Sequence, residues 1–196
     1  MANRPNKSIS QFKSALVGGG ARPNLFEVQI ANFPVPGWDG DKFKYMCKAA
    51  QLPASVIANV DVPFRGRIFK VAGDRTIETW SVTVINDEDF KLRNSFEEWM
   101  QLIAKLDTNI GATNPESYMI DADVYQLGRG GAIGEASTSN AGSANAVLKQ
   151  YKMEGIFPTN VAGIDLSYDT SDTIEEFTVE FQVQSFTPVD AGAPNE

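Results

Sequence analysis

The chain has 196 residues, 42% of them hydrophobic, which suits one domain with an apolar core and is too apolar for a disordered polymer. Histidine is absent and Cys47 stands alone, which removes the commonest general base and transition-metal ligand and leaves no disulfide framework or cysteine-based zinc site. The net charge of −8 repels phosphate backbones and disfavours ordinary DNA or RNA binding, although a surface that must pass nucleic acid without holding it wants this sign.

Met1 to Ala21 reads as an N-terminal arm. Within it "SISQFKSAL" predicts a short helix with Ile9, Phe12, Ala15 and Leu16 on one side, uncoupled by Gly18, Gly19 and Gly20. The opening lacks the apolar stretch of a secretion signal and no run is long enough to span a membrane, so the expected compartment is the cytoplasm. "NLFEVQIA" alternates, with Phe26, Val28 and Ile30 opposite Glu27 and Gln29. "KFKYMCKA" reads as a second strand, with Phe43, Tyr45 and Cys47 on one face, and Cys47 there is expected to be a buried small hydrophobe.

"VIANVDVPFRGRIFKVAG" predicts a hairpin with two strand-like arms around Phe64-Arg65-Gly66-Arg67. Large apolar groups near an exposed tip mark a protein contact. Its basic residues, Arg65, Arg67, Lys70 and Arg75, are offset by Asp61, Asp74 and Glu78, which argues against a nucleic-acid patch. "IETWSVTVI" alternates again, and Asp87 to Leu106 follows as the one long helix, its apolar stripe formed by Leu92, Phe96, Trp99, Ile103 and Leu106. Asn86 or Asp87 is the expected cap, and Glu88 and Asp89 suit the positive end of the helix dipole, so the "INDED" cluster is a helix start rather than a carboxylate active site.

Asp121 and Asp123 lie on one face of the strand-like "YMIDADVYQL". A paired-carboxylate metal or acid–base site needs a further ligand that is not evident nearby, so a solvated or subunit-contact face is the preferred reading. Gly128 to Ala146 is low in complexity and reads as a long mobile loop; no helix follows its glycines, which excludes a dinucleotide fingerprint. "VLKQYKMEG", "GIDLSYD" and "EEFTVEFQVQSF" return to the two-residue period, the last with Phe177, Val179, Phe181 and Val183 facing inward, and residues 188–196 form a polar tail. The alternation predicts a mostly β, antiparallel sandwich or barrel with one flanking helix, whose unpaired edges favour self-assembly. A carboxylate-dependent enzyme using Asp121 and Asp123, and a sugar-binding module using Trp38 and Tyr168, are the contrasting readings.

The ordered motifs "ARPNLFEVQI", "CKAAQLPASVI", "VAGDRTIETWSVTVINDE" with its Trp-bearing helix, and "GIFPTNVAGIDLSYD" before a final strand resemble the major tail tube proteins of contractile-tailed, T-even-like bacteriophages, from about Ala21 to Phe186. That family is akin to the tube proteins of type VI secretion and bacteriocins. The resemblance implies a non-enzymatic, cofactor-free virion protein with a tail-tube β-barrel domain over 22–187. Hexameric rings of it would stack into the inner tail tube and conduct the genome during ejection. Its implied partners are its own copies, the tail sheath, and the tape-measure, baseplate and tail-terminator proteins, with DNA passing unbound and no membrane contact. Assembly would occur in the host cytoplasm.

By the same resemblance the hairpin around Ser55 to Ala72 reaches a neighbouring ring. Phe64, Arg65, Arg67, Phe69, Asp74 and Arg75 are then the contact candidates. Glu27, Gln29, Glu180, Gln182 and Gln184 are candidates for the lumen wall, whose acidic character would limit sticking of a duplex carrying about one charge per 1.7 Å. A tube of an injection or secretion system, or a baseplate tube initiator, is the alternative within the class. The Gly128–Ala146 loop and the Phe33–Phe43 excursion look longer than in the family and are open to wall decoration, sheath contact or gap filling.

Overall fold

In the computed structural model, residues 8–16, 20–108, 110–128, 147–169 and 171–190 are described; Met1–Lys7 and all but Gly128 of the Gly128–Ala146 loop lie outside them. The elements in chain order are α1 (Ile9–Ala15), β1 (Phe26–Ile30), α2 (Gly40–Met46), β2 (Cys47–Ala50), β3 (Ser55–Phe64), β4 (Arg67–Ile77), β5 (Trp80–Ile85), α3 (Lys91–Ile103), β6 (Ile120–Leu127), β7 (Val147–Val161), β8 (Glu176–Gln182) and β9 (Ser185–Asp190). All strand pairings are antiparallel, as period-two alternation requires when one face is dry and the other wet.

A seven-stranded sheet follows the path β1-β6-β7-β8-β5-β2, with β9 added alongside β7, and β3 and β4 form a separate two-stranded ribbon. β7 organises the large sheet. Its first part pairs with β6 and β9, and its last residues, Phe157 to Val161, pair with β8. Between these parts sits Gly155, at φ 63°, where an added Cβ would fall 2.9 Å from Gln184 Cγ. Its amide donates to Asp121 Oδ1 at 3.2 Å, so the ladder is broken here but the donor is satisfied. The path ends at β1 and β2, which are not hydrogen-bonded neighbours. The mostly β, antiparallel expectation therefore holds, while the described strands do not close into a barrel.

The inward residues of this sheet, including Val28, Ala122, Val124, Met153, Val82, Val84, Phe177, Val179 and Phe181, form one buried cluster with Leu92, Phe96 and Trp99 of α3. Phe96 packs edge-on against Phe177 and Phe181, at centroid distances of 6.3 and 6.0 Å. The indole N–H of Trp99 donates to the Tyr118 carbonyl at 2.9 Å, and that of Trp80 donates to Gln51 at 2.8 Å. Both buried rings thus keep their polar atoms satisfied.

Several expectations need correction. "KFKYMCKA" is a helix running into a strand: α2 ends at Met46 and β2 begins at Cys47. Phe43 and Cys47 are both buried because they lie four apart on one side of a helical turn, while Tyr45, expected on the same face as these two, is exposed. Asp39 supplies the cap, accepting from the Lys42 amide at 3.0 Å.

The long helix is shorter than Asp87–Leu106: it occupies Lys91–Ile103, and Leu106 lies exposed beyond it. Neither Asn86 nor Asp87 caps it. Asn86 is buried and donates to Glu175 Oε2 at 3.0 Å, Asp87 turns back onto the Glu88 amide, and Asp89 accepts from the Lys91 amide at 3.0 Å. Phe90, at φ 51°, makes the turn into the helix.

"GIDLSYD" is irregular rather than a strand; Ile164 still packs against the core, while Leu166 and Tyr168 are exposed. Pro188 to Asp190, expected in a tail, belong to β9, with Tyr151 opposite Pro188. β9 is an edge, where a missing proline N–H leaves no ladder partner unsatisfied. The Phe33–Phe43 excursion packs inward: Phe33 stacks on Trp38 at 4.0 Å, and both meet Phe96 edge-on. Trp38 is therefore part of a packed aromatic group and not a free platform for a sugar.

Candidate assembly surfaces

The β3–β4 ribbon is built by local rules. Arg65 and Gly66, at φ 46° and 81°, form the two-residue turn whose twist matches a right-handed hairpin. The turn fixes the register, pairing Phe64 with Arg67, Val62 with Phe69, and Val60 with Val71. Alternate pairs share a face, so Val60, Val62, Phe64, Phe69 and Val71 line one side of the ribbon. The other side carries Asp61 opposite Lys70 and Asn59 opposite Ala72.

None of these residues is buried, and Phe64 and Phe69 are each 66% exposed. At about 3.3 Å per residue, a ten-residue arm extends roughly 33 Å. An apolar strip of this length, uncovered among the described residues, is the kind of surface that marks a protein contact.

The predicted contact residues divide. Phe64, Arg65, Arg67 and Phe69 come together at the tip, where the Arg65 guanidinium lies 5.4 Å from the centre of the Phe64 ring. Asp74 and Arg75 sit at the base of the ribbon, about 26 Å away along β4 by strand rise, past a register shift between Ile57 and Asn59. There Arg75 Nε donates to Ser55 Oγ at 3.1 Å, a bond that ties the two strands together. Val60, Val62 and Val71 were missed by residue type alone. The register implied by the Arg65-Gly66 turn was the signal that could have found them.

The second surface is the wet face of the large sheet. Glu27, Gln29, Glu180 and Gln182 alternate with buried residues on β1 and β8, so all four point away from the core. Gln184 follows in the bend between β8 and β9, its amide donating to the Glu154 carbonyl at 3.2 Å. Gln29 Nε2 donates to Glu27 Oε1 at 3.0 Å. The two groups are separated by β6 and β7, about 14 Å at ordinary strand spacing.

Between them lie Asp121 and Asp123. Lys152 Nζ sits 3.6 Å from Asp121 Oδ2 and 3.6 Å from Glu154 Oε1, and Gln150 Nε2 donates to Asp123 Oδ1 at 2.9 Å. Each aspartate thus has its own cross-strand partner, and no group of three metal-ligating side chains occurs among the described residues. Tyr125, in the same row, has its hydroxyl pKa raised by partial burial and by the charges of Asp123 and Glu27. The row is a polar, net acidic wall.

Two further groups frame the body. Lys42 bridges Asp87 at 2.8 Å and Asp89 at 2.5 Å, which raises its own pKa and lowers both carboxylates. Cys47 is buried, and desolvation pushes its thiol up to about 12, so it is protonated and unreactive at neutral pH. No described helix is long and apolar enough to cross a membrane.

An open antiparallel sheet with a polar wall and a projecting apolar ribbon defines an assembly subunit. Comparison with known proteins makes the class specific. Residues 21–188 match the family described as phage tail tube protein. The tail tube protein gp19 of Enterobacteria phage T4 is 35% identical over 162 residues, covering 83% of this chain and 88% of that protein. A tail tube protein of Serratia phage KSP90 is 26% identical over 180 residues, covering 89% and 93%.

The fold is also that of a chain in the anti-feeding prophage baseplate, with a TM-score of 0.59 at 11% identity over 89% of this chain and 98% of that one. A chain of an extracellular contractile injection system sheath–tube complex aligns with a TM-score of 0.53 at 14% identity, over 94% and 99%. The chain belongs to the phage tail tube protein family, and its role is structural.

Proposed function

We propose that this protein forms hexameric rings that stack into the inner tube of a contractile phage tail, the conduit through which the genome leaves the virion. The observation that carries the reading is the β3–β4 ribbon, whose apolar strip of Val60, Val62, Phe64, Phe69 and Val71 has no cover among the described residues. A neighbouring ring supplies that cover. Arg65 and Arg67 at the tip add polar contacts to it, and Asp74 with Arg75 sets the angle of the ribbon at its base. The free edges at β1 and β2 pair with sister copies within a ring, which satisfies main-chain groups that one copy leaves open.

The acidic wall of Glu27, Gln29, Glu180, Gln182 and Gln184 faces the lumen. A duplex meets like charge there and slides without adhering. The protein carries out no catalysis and uses no cofactor. Residues from 22 to the end of β9 build the wall, and the segments beyond serve contacts along the tube. The outer side meets the sheath, and the ends of the tube meet the tape-measure, baseplate and terminator proteins. Rings assemble in the host cytoplasm and end in the virion.

The baseplate and cap assemblies of the anti-feeding prophage contain chains of the same fold, so a tube-initiating or tube-ending subunit, or a tube of an injection system, is the second reading. Negative-stain microscopy of the purified protein tests both. Long hollow tubes support the main reading, single rings that do not stack support the second, and monodisperse monomers at all concentrations overturn both.

A further inference from the structure

The loop between β7 and β8, described at 162–169 and 171–175, carries apolar side chains that the core does not take. Ile164 packs against the body, but Leu166, Tyr168 and Ile174 are all largely exposed. These four line an open cleft of about 690 Å³, a volume ordinary for a built binding site. The surroundings are acidic: Asp165 lines the cleft, and Asp169 and Asp172 stand on the same loop. Glu175 and Glu176 are taken up within the body by Asn86 and Lys48, whereas Asp165, Asp169 and Asp172 form no ion pair among the described residues.

The tip of the β3–β4 ribbon has the complementary make-up. Phe64 and Phe69 are exposed there, Arg65 leans on the Phe64 ring, and neither Arg65 nor Arg67 forms an ion pair among the described residues. The two surfaces lie at opposite ends of β5. The ribbon runs into β5 at Trp80, which pairs with Phe181, and the loop runs into β8 at Glu176, which pairs with Ile85. About 17 Å of strand separates these ends. Every residue from Val56 to Ala72 is exposed, so the ribbon stands clear of its own body and its tip does not meet the loop of the same copy.

A polymer that grows along one axis joins two different surfaces on opposite ends of each subunit, and an apolar tip with unpaired cations matches an apolar cleft with unpaired anions. The groove between α3 and the end of β7 offers no such match, because Arg93 and Glu97 on its rim pair with each other at 2.8 Å. We infer that the ribbon tip of one copy docks in the β7–β8 cleft of a second copy. The Phe64 ring lies against Leu166, Tyr168 and Ile174, and the Arg65 and Arg67 guanidiniums meet Asp165 and Asp169. The inference rests on the stacking proposed above and names the surface that receives the ribbon.

Site-directed crosslinking tests this in the full chain, with the buried Cys47 left in place. One preparation carries Ile68→Cys beside the turn, and a second carries Ser167→Cys in the cleft; both positions are exposed, so neither change threatens the fold. On mixing and mild oxidation, a disulfide between the two chains is expected, read by mass spectrometry of the linked peptides. Arg65→Glu with Arg67→Glu in the ribbon chain should lower its yield at least about tenfold, because like charges then face each other. Asp165→Arg with Asp169→Arg in the loop chain should restore it.

Tubes without the disulfide, or with a yield that does not fall and recover in this way, overturn the inference and leave the stacking standing, the ribbon then being seated on another surface. Absence of both disulfide and assemblies at every concentration overturns the two together. A disulfide with these charge responses but without tubes supports the docking and counts against the tube. A chain bearing both cysteines, diluted into excess unsubstituted chain, should not close on itself; if it does so efficiently, the cleft takes its own ribbon and the assignment to a second copy is wrong.

Discussion

The large sheet and the β3–β4 ribbon are both antiparallel, both alternate, and are joined directly in sequence, yet they use apolar residues in opposite ways. In the sheet every second residue of β5 and β8 disappears into a core sealed by α3. In the ribbon the same alternation produces a face that stays exposed among the described residues. Sheet residues specify the fold of one copy, and on the proposed function ribbon residues specify how copies meet. An isolated two-stranded ribbon is marginal in water, so a partner covering it, as proposed above, would add to its stability.

The sharpest way to break this contrast is to shorten the ribbon. Removing Pro63–Ile68 and joining Val62 to Phe69 through Asn-Gly should abolish tube growth by electron microscopy while leaving the body's stability within about 0.5 kcal/mol by urea unfolding, because the removed residues touch no core group. Normal long tubes from this variant would show that the apolar strip is not the inter-ring contact. The reverse outcome is expected in the sheet. Phe96→Ala should cost about 3–5 kcal/mol, since Phe96 is fully buried among Trp38, Phe43, Phe177 and Phe181. A loss below about 1 kcal/mol would mean that the aromatic group is not the keystone of the body.

These two regions also differed in how far they could be read from sequence. β8 was legible because "EFTVEFQ" alternates without interruption and both its neighbours are present in the same chain. The ribbon was legible as a hairpin from Arg65-Gly66, though its apolar face needed the register that only the turn geometry sets. "KFKYMCKA" misled because Phe43 and Cys47 stand four apart, a spacing common to a helix and to a strand, and Tyr45 between them fits either until packing exposes it. Asn86 misled for a different reason: its side chain satisfies Glu175, 89 positions later, a long-range bond that outcompetes local capping. The groove between α3 and the end of β7, lined by Met100, Ile103, Phe157 and Val161, was invisible, since it is assembled from two elements far apart in sequence. Pro188 to Asp190 looked like a tail because edge pairing leaves no mark in composition.

The wet face sharpens the contrast further. Glu180→Lys combined with Gln182→Lys alters neither core nor ribbon, so rings and tubes should form normally. DNA ejection from assembled particles should slow several-fold, more at low salt than at high salt, because the added cations attract phosphates and the attraction is screened. Ejection kinetics unchanged at low salt would remove these residues from the lumen.

The smallest effect is expected where α2 is tied to the start of α3. Lys42 lies between Asp87 and Asp89, and both carboxylates have pKa values below the usual 3.8, first through their hydrogen bonds to Lys42. A carboxylate whose folded pKa is depressed stabilises the protein above its unfolded pKa, and that contribution is lost as pH falls through the folded value. Lys42 has the opposite sign: its pKa lies above 10.5 through the same bonds, so its contribution is complete below that value and fades as pH rises past it. Asp87, Asp89 and Lys42 are solvent-accessible, and screening keeps the effect small. Lys42→Met should therefore lower the melting temperature slightly at neutral pH and flatten its fall between about pH 4 and pH 2, where the two proteins converge, with no change in tube growth. If Lys42→Met instead stops assembly, the division between residues that fold the body and residues that join the copies does not hold at this corner, and α2 belongs to an interface.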